Sequence, residues 1–261
     1  MKSKVISLLS LLVILTLLIS SISLINRFSG LGNDTSNKND LAQKSKFINW
    51  DFSKDEVLNI DSNILDFKAE DGYFKITEKN GGYNWGYYYI PISIMNDGSA
   101  CELKDYKYIT FEFDYAICDD IPRFYTSDLT VGFNVNNDID NTLGDLRIIS
   151  NDHEDDTGEA YAVYVKSAGG EHTYYDVEGS DEYGFLHCKA IVDISEGSVS
   201  WYVQNKLVGK HENIISSSDT ILNVVFYLEK GFTESEMVLD NIRAQGFDLN
   251  YSGSFEDLLS N

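Results

Sequence analysis

The sequence predicts an all-β fold, a single antiparallel β-sandwich formed by residues 47–248. From Phe47 onward, apolar and polar side chains alternate, which is the period of a strand that buries one face. The breaks between the alternating segments are rich in glycine and asparagine, which supply the positive φ angles of tight turns. Apolar residues make up 43% and aromatic residues 13% of the 261-residue chain, which is enough to fill one large core.

The alternation is clearest in the segment 106–117, where every second side chain from 109 to 115 is apolar and is expected to face the core. These core-facing residues are Ile109, Phe111, Phe113 and Tyr115. The segments 129–135, 160–166, 187–194 and 198–204 repeat the pattern, while 221–229 is more continuously apolar, as in a central strand. The best helical candidate in the body is the short segment 254–260, within a predicted C-terminal tail, 249–261.

The N-terminus carries a targeting segment. Residues 5–25 are nearly all Leu, Ile, Val and Ser, with Lys2 and Lys4 before them and Arg27 after them. A positive stretch followed by 21 apolar or small residues is typical of a signal peptide, and it is also long enough to cross a bilayer as a hydrophobic helix. We therefore expect residues 1–28 to be a signal peptide or a membrane anchor that places the body outside the cytoplasm, secreted or at the cell surface.

Two readings of this leader remain open. Ser21-Ile22-Ser23 has the small-x-small pattern of a cleavage site, and cleavage would release the body. Without cleavage, residues 5–25 would tether the protein to the membrane. Residues 29–46 are polar and lack periodicity, so they are predicted to form a flexible linker.

The charge is divided unevenly along the chain. Residues 1–46 hold six basic and two acidic side chains, a net of +4, so the total of −22 leaves −26 for residues 47–261. A body this acidic repels nucleic-acid phosphates and anionic lipid headgroups. The partners that remain are neutral glycans, cations and basic proteins, unless the charge serves solubility alone.

The chain has three cysteines, an odd number for an exported protein. Cys101 and Cys118 are close enough in sequence to pair across one β connection. Cys188 alternates with apolar residues and is expected to be a buried thiol. Their spacing matches no zinc-binding pattern.

Two segments together resemble a known superfamily, and a third suits its first strand. Residues 185–211 (FLHCKAIVDISEGSVSWYVQNKLVGKH) form a predicted hairpin followed by a return strand, 237–244 (MVLDNIRA) lie near the C-terminus, and 49–52 (NWDF) open the body. This combination resembles the concanavalin A-like lectin/glucanase sandwiches and related jelly-roll carbohydrate-binding modules, over residues 47–248. The resemblance implies that the hairpin lies within the sandwich and that the first strand pairs near the last. The superfamily contains lectins, glycan-binding modules, glycoside hydrolases and adhesion domains, so the fold alone does not choose a function.

The resemblance also suggests a place to look for catalysis. Its laminarinase-like branch carries a Glu-x-Asp-x-x-Glu strand, and retaining glycosidases need two carboxyls about 5–5.5 Å apart. Here Glu112 and Asp114 match the start of that motif, but Ile117 stands at its third position. The alternative interpretation, which the missing carboxylate favours, is that Glu112 and Asp114 are on the solvated face of a strand.

The segment 81–92 (GGYNWGYYYIPI) is the most distinctive in the chain. In strand phase, Tyr83, Trp85, Tyr87 and Tyr89 share one face, Asn84 lies among them, and Tyr88 is on the other face, where it is a further candidate for an exposed ring. Sugars stack their C–H faces on flat rings while polar groups bind their hydroxyls. We predict carbohydrate binding by Tyr83, Asn84, Trp85, Tyr87 and Tyr88, with burial of the ring row in the core as the alternative.

Two acidic loops have the composition of calcium sites, because calcium takes six to eight oxygen ligands. The predicted ligands are Asp138, Asp140 and Asn141 in the loop 136–145, and Asp152, Asp155 and Asp156 in the loop 151–159. Neither loop has the EF-hand pattern, and a solvated acidic turn is the alternative.

The sequence thus favours an extracellular, non-catalytic protein that binds a neutral polysaccharide or glycan. A glycoside hydrolase of the same fold and a cell-surface adhesion domain that binds protein are the alternatives.

Overall fold

A computed structural model describes residues 46–52, 65–78, 86–118, 127–136, 138, 142–150, 161–165, 173–175, 185–230 and 236–260. In chain order the strands are β1 (Asn49–Trp50), β2 (Leu65–Glu70), β3 (Tyr73–Glu78), β4 (Gly86–Ser93), β5 (Cys101–Glu102), β6 (Tyr106–Cys118), β7 (Ser127–Val135), β8 (Thr142–Ser150), β9 (Tyr161–Val165), β10 (Thr173–Tyr175), β11 (Leu186–Asp193), β12 (Ser198–Val203), β13 (Lys206–His211), β14 (Thr220–Lys230) and β15 (Glu236–Asp248). A 3-10 turn covers Leu103–Asp105, and the helix α1 covers Phe255–Ser260.

These strands form two antiparallel sheets. Sheet 1 has the order β13-β12-β11-β6-β15-β3-β2, with β1 also paired to β15. Sheet 2 has the order β10-β9-β8-β7-β14-β4, with β5 also paired to β14. The predicted fold class, an antiparallel β-sandwich, is confirmed.

The core lies between the sheets and follows the alternation of the sequence. The predicted inner residues of β6 are fully buried, as are Val199, Trp201 and Val203 of β12. From sheet 2, Phe133 and Phe226 pack against the rings of Phe111 and Trp201. Strand β14 lies between β7 and β4, which confirms that the continuously apolar segment 221–229 is a central strand.

The segment 46–52, which contains β1, is hydrogen-bonded to both sheets. Asn49 and Trp50 pair with Arg243 and Ile242 of β15, so the first strand lies beside the last, as the resemblance implied. The Ile48 amide donates to the carbonyl of Ile94, the residue after β4, and the Ile48 carbonyl accepts from the Ala244 amide in sheet 1.

The C-terminal segment packs on the outer face of sheet 1. Leu258 of α1 is fully buried against Ile191 and Phe247, in a second, smaller apolar cluster. Tyr108 and Phe255 add an edge-to-face ring contact to it. The residues after 248 therefore cover part of sheet 1.

The possible disulfide between Cys101 and Cys118 is wrong. Cys101 is a free, buried thiol on β5, close to the start of β6, whereas Cys118 is the last residue of β6. A strand of 13 residues extends roughly 40 Å, far more than the 7 Å limit between bridged Cα atoms. Cys188 is fully buried, as predicted. Burial raises the pKa of the Cys101 thiol to about 12 and also raises the pKa of Cys188.

The predicted leader and linker lie outside the described residues. Among the helices that the structure does describe, none is long and apolar enough to cross a membrane.

Candidate functional site

The outer face of sheet 2 carries a row of side chains that crosses five neighbouring strands. Each member lies directly opposite the next in the strand register, and each alternates with residues that face the core. The aromatic row, as we name it, consists of Tyr89 on β4, Tyr227 on β14, Thr130 on β7, Arg147 on β8 and Tyr164 on β9. With strands about 4.8 Å apart, the row is about 19 Å long.

Two rings form the β4 end of the aromatic row. Tyr89 is 59% exposed, an unusual value for a large aromatic side chain in a strand. Its ring lies 4.9 Å from the ring of Tyr227, centroid to centroid, at an interplanar angle of 61°. Edge-to-face packing of this kind holds both rings in place and contributes about 0.5–1.5 kcal/mol.

A fixed cation lies at the other end. An Arg147 terminal nitrogen donates to the Tyr164 hydroxyl at 2.6 Å, and the guanidinium carbon lies 5.7 Å from the centre of the Tyr164 ring. The hydrogen bond and the cation–π contact together orient the guanidinium on this face.

Only two of the five residues predicted for carbohydrate binding, Tyr87 and Tyr88, belong to the described part of the chain. Tyr83, Asn84 and Trp85 lie outside the described residues. Tyr87 belongs to β4, opposite Glu229, in the strand phase of Tyr89. Tyr88 is only 8% exposed and faces the core with Ile90 and Ile92. The expectation that Tyr88 supplies an exposed ring is therefore wrong, because in the strand alternation Tyr88 lies on the same face as these apolar residues.

Sequence reasoning missed Tyr227, Arg147 and Tyr164. Each stands between two buried apolar residues, so the alternation alone marks them as outward-facing. Their place beside Tyr89 depends on the strand register, which the sequence does not reveal.

The outer face of sheet 1 carries a charged network around Glu112. Its Oε1 accepts from the Lys189 ammonium at 2.8 Å and its Oε2 from the Arg243 Nε at 2.7 Å. Glu112 is 4% and Lys189 3% exposed, so Glu112 does not lie on a solvated face. Lys189 on β11 and Arg243 on β15 are opposite Glu112 in the strand register. Their positive charges offset the free-energy cost of burying the Glu112 carboxylate.

Asp114, two residues along, is held by His187 and Asn241. Its Oδ1 lies 2.7 Å from the His187 Nδ1, and its Oδ2 accepts from the Asn241 side chain at 2.7 Å. Asn241 occupies a β-bulge with φ of 49°, a left-handed conformation that asparagine tolerates, and this conformation brings its amide to Asp114.

Asp240, on the same bulge, has a perturbed carboxyl group. Burial raises its pKa to about 6, the hydrogen bond from the Asn241 backbone amide works in the opposite direction, and the nearby Asp114 and Asp51 carboxylates raise it further. Asp240 therefore takes up a proton at a higher pH than an ordinary aspartate does.

The contacts of Glu112 and Asp114 bear on whether these carboxylates could take part in catalysis. Both oxygens of Glu112 contact cations, and both oxygens of Asp114 contact His187 or Asn241. A glycosidase nucleophile must present an oxygen to the sugar, and a general acid must be reachable by the leaving group. In the described structure each oxygen of the two carboxylates therefore already has a partner.

The predicted calcium ligands lie almost entirely outside the described residues. Asp138 is the exception, with an exposed side chain and a backbone carbonyl that accepts from the Asn134 amide at 2.8 Å. Asn134 is 1% exposed, and its Oδ1 has no hydrogen-bond partner within the described structure. Among the described side chains, no three of His, Cys, Asp or Glu come together in a way that would hold a metal.

No protein-family model matches the chain, and no curated protein matches its sequence. Its fold is similar to several solved structures. A sialidase matches over 78% of this chain but 19% of its own length, at 15% identity and a TM-score of 0.49. The carbohydrate recognition domain of Emp47p matches over 81% of this chain and 99% of its own, at 10% identity and a TM-score of 0.47.

A lichenase derived from a mouse hindgut metagenome matches over 77% of this chain and 99% of its own length, at 10% identity and a TM-score of 0.41. The two antiparallel sheets agree with the sandwich architecture that the predicted resemblance to concanavalin A-like jelly rolls implies. At these identities the likeness concerns architecture, and the function has to be argued from the side chains.

Proposed function

We propose that this protein is an exported, non-catalytic carbohydrate-binding β-sandwich whose binding surface is the aromatic row. The observation that carries the proposal is the exposed ring of Tyr89, held edge-to-face by Tyr227 on the outer face of sheet 2. An exposed, pre-positioned ring is the platform on which the C–H face of a sugar stacks, and it loses little conformational entropy on binding.

The rest of the aromatic row supplies hydrogen bonds. Thr130 and Arg147, which carry a hydroxyl and a guanidinium, stand between Tyr227 and Tyr164 in the strand register. Sugar hydroxyls bind to such groups, and fixed donors give orientation and specificity. The net charge of −26 on residues 47–261 favours neutral glycans over polyanions, because a field of that sign repels a charged chain.

The location outside the cytoplasm is part of this proposal. It is supported by the leader, with Lys2 and Lys4 before the apolar residues 5–25. Anchoring at the cell surface and release by cleavage are both compatible with a glycan-binding role.

We also propose that calcium orders the loop that follows β7. The support is the buried Asn134 Oδ1, a carbonyl-type oxygen beside a loop whose sequence contains Asp138, Asp140 and Asn141. Calcium accepts amide and carboxylate oxygens together, so this donor set suits it.

A glycan array tests the main proposal, with the wild-type body beside Tyr89→Ala. We expect binding to at least one neutral glycan and a loss of about five- to tenfold in affinity for the variant, which is the effect of one stacking ring. Leu207→Ala is the matched control, because Leu207 is 57% exposed but lies on β13 of sheet 1. Absence of binding to every glycan, or an equal loss in the control, would refute the proposal and leave the protein-binding adhesion domain as the better reading.

The hydrolase alternative is tested on the glycans that bind. Reducing ends should not be released, and a release that Glu112→Gln abolishes would establish catalysis instead. The melting temperature of Glu112→Gln must be measured alongside, because the substitution also weakens the network with Lys189 and Arg243.

A further inference from the structure

We propose that the aromatic row binds an internal stretch of a single, soluble, neutral polysaccharide chain that lies across the strands. This inference rests on the proposed function and specifies the kind of glycan that its site accepts.

The length of the aromatic row requires more than one sugar. The ring pair lies between β4 and β14, and the Arg147–Tyr164 pair lies between β8 and β9. These two pairs are three strand spacings apart, about 14 Å. One pyranose ring does not span that distance, so a ligand that uses both pairs must contain several linked sugars, with its long axis across the strands.

The angle between the rings excludes a flat crystalline surface as the ligand. Binding to crystalline polysaccharide needs rings that lie in one plane, whereas Tyr89 and Tyr227 are inclined at 61°. In addition, neighbouring strands of a sheet rotate by about 20–25°, so four steps from β4 to β9 turn the surface by roughly 80–100°. A ligand that follows the aromatic row has to twist with it, which a single chain in solution can do and a crystal face cannot.

The β4 end of the aromatic row points to an internal segment. Strand β4 is the last in the order of sheet 2 as described, and Tyr89 on it is 59% exposed. A ring with this exposure on a border strand stacks a sugar without enclosing it. Among the residues that the structure describes, nothing therefore stops the chain from continuing past Tyr89, as a site for chain ends would require.

The charge argues for a neutral chain. The guanidinium of Arg147 is already set against the ring and hydroxyl of Tyr164. A single cation held in this way does not offset the charge of −26 that a polyanion would meet on approaching the body.

The test uses titration calorimetry with the full body of the protein. The probes are laminarin, lichenan and glucomannan as neutral soluble chains with their oligosaccharide ladders, polygalacturonate as an acidic chain, and crystalline cellulose in a pull-down. For one of the neutral polysaccharides, we expect the affinity for its oligosaccharides to rise at least tenfold from the disaccharide to the longest one. Tyr89→Ala and Tyr164→Ala, which remove opposite ends of the aromatic row, should each reduce that rise, and Leu207→Ala should preserve it.

Three results would overturn this inference while leaving carbohydrate binding intact. They are a disaccharide that binds as tightly as the polymer, retention on crystalline cellulose, and tighter binding of polygalacturonate than of any neutral chain. If none of the probes and none of the array glycans binds, the proposed function itself fails and this inference fails with it. Melting curves of the two tyrosine variants ensure that a lost rise in affinity is not a loss of folded protein.

Discussion

Lys189 and Glu112 form an ion pair that is almost completely removed from water on a sheet face that the sequence marks as the solvent side. Alternation places Glu112 away from the core correctly, but it does not show that neighbouring strands place Lys189 and Arg243 around it. Desolvation of two charges is costly, and breaking such a pair leaves one charge buried without its partner.

We expect Lys189→Met to lower the free energy of unfolding by about 3 kcal/mol, because the buried Glu112 carboxylate would lose the cation that contacts its Oε1. The double variant Lys189→Met/Glu112→Leu should recover most of that loss, since both charges are then absent. Urea unfolding followed by tryptophan fluorescence measures both. Lys210→Met is the control, because Lys210 pairs with Glu196 at the surface and should cost under about 1 kcal/mol. Equal losses at the two lysines would contradict the assignment of a buried pair.

Asp240 gives a pH dependence whose sign follows from its raised pKa. With a pKa of about 6 in the folded protein against an ordinary 3.8, the folded state binds the proton more tightly. This residue therefore contributes most stability below about pH 4, and the contribution is lost as the pH rises through about 6. Because Asp240 is half-buried, we expect Asp240→Asn to stabilise the protein by only about 1 kcal/mol at neutral pH and by nothing near pH 4.

The measurement for Asp240 is urea unfolding of wild type and variant at both pH values. Asp105→Asn, at an exposed carboxyl, is the control for the removal of one negative charge. A gain for Asp240→Asn that is the same at both pH values would show that proton binding is not its source.

At the scale of elements, α1 shows how a short helix is held by its packing. Six residues are too few to form a stable helix in isolation. The sequence identifies the segment as helical but gives no hint that Leu258 docks on Ile191 and Phe247, because those partners belong to the distant strands β11 and β15.

Leu258→Ala should lower the free energy of unfolding by about 2–4 kcal/mol, because a fully buried leucine would leave a cavity. Leu249→Ala, in the same C-terminal segment but 66% exposed, should change it by less than about 0.5 kcal/mol. Chemical denaturation of the two variants is the comparison. A neutral Leu258→Ala would mean that α1 is not docked in solution.

The loop after β7 is the element on which the calcium proposal depends. We expect added calcium to raise the melting temperature and a chelator to reverse the rise, since an ion that binds only the folded state stabilises it, by about 2.7 kcal/mol at 100 times its Kd. Asp140→Asn should abolish the rise if the loop 136–145 holds the ion, and Asp152→Asn should do so if the loop 151–159 does. A melting temperature that calcium and chelator leave unchanged would rule out both sites.

At the scale of the whole molecule, the sequence supports prediction of the architecture better than of the site. Alternation and turn residues identify strands such as β6 and β12 because burial of one face is a local property of the sequence. The aromatic row is different, because it exists only once β4, β14, β7, β8 and β9 are aligned. Tyr89 falls in a segment that the sequence singles out, whereas Arg147 and Tyr164 join the row through register.

The N-terminal leader, a positively charged start followed by the apolar residues 5–25, leads to a prediction about the processing of the whole chain. We expect export and cleavage near Ser21–Ser23, so the intact mass of the protein recovered from its native cells should lack residues 1–23 or close to that. A mass that includes the leader, in the membrane fraction, would establish the anchored alternative. Recovery of the body from the cytosol would contradict both.

The opening segment, hydrogen-bonded to Ile94 on one side and Ala244 on the other, also has a mechanical consequence. A tensile force applied at Lys46 does not peel a single strand from one sheet. It is divided between the two layers of the sandwich at Ile48, and the ring of Phe47, edge-on to Tyr106, must leave the core before either layer can separate. A polymer-binding domain that is pulled from its N-terminal end would therefore resist extension at Phe47 and Ile48, where the force is first applied to the sandwich.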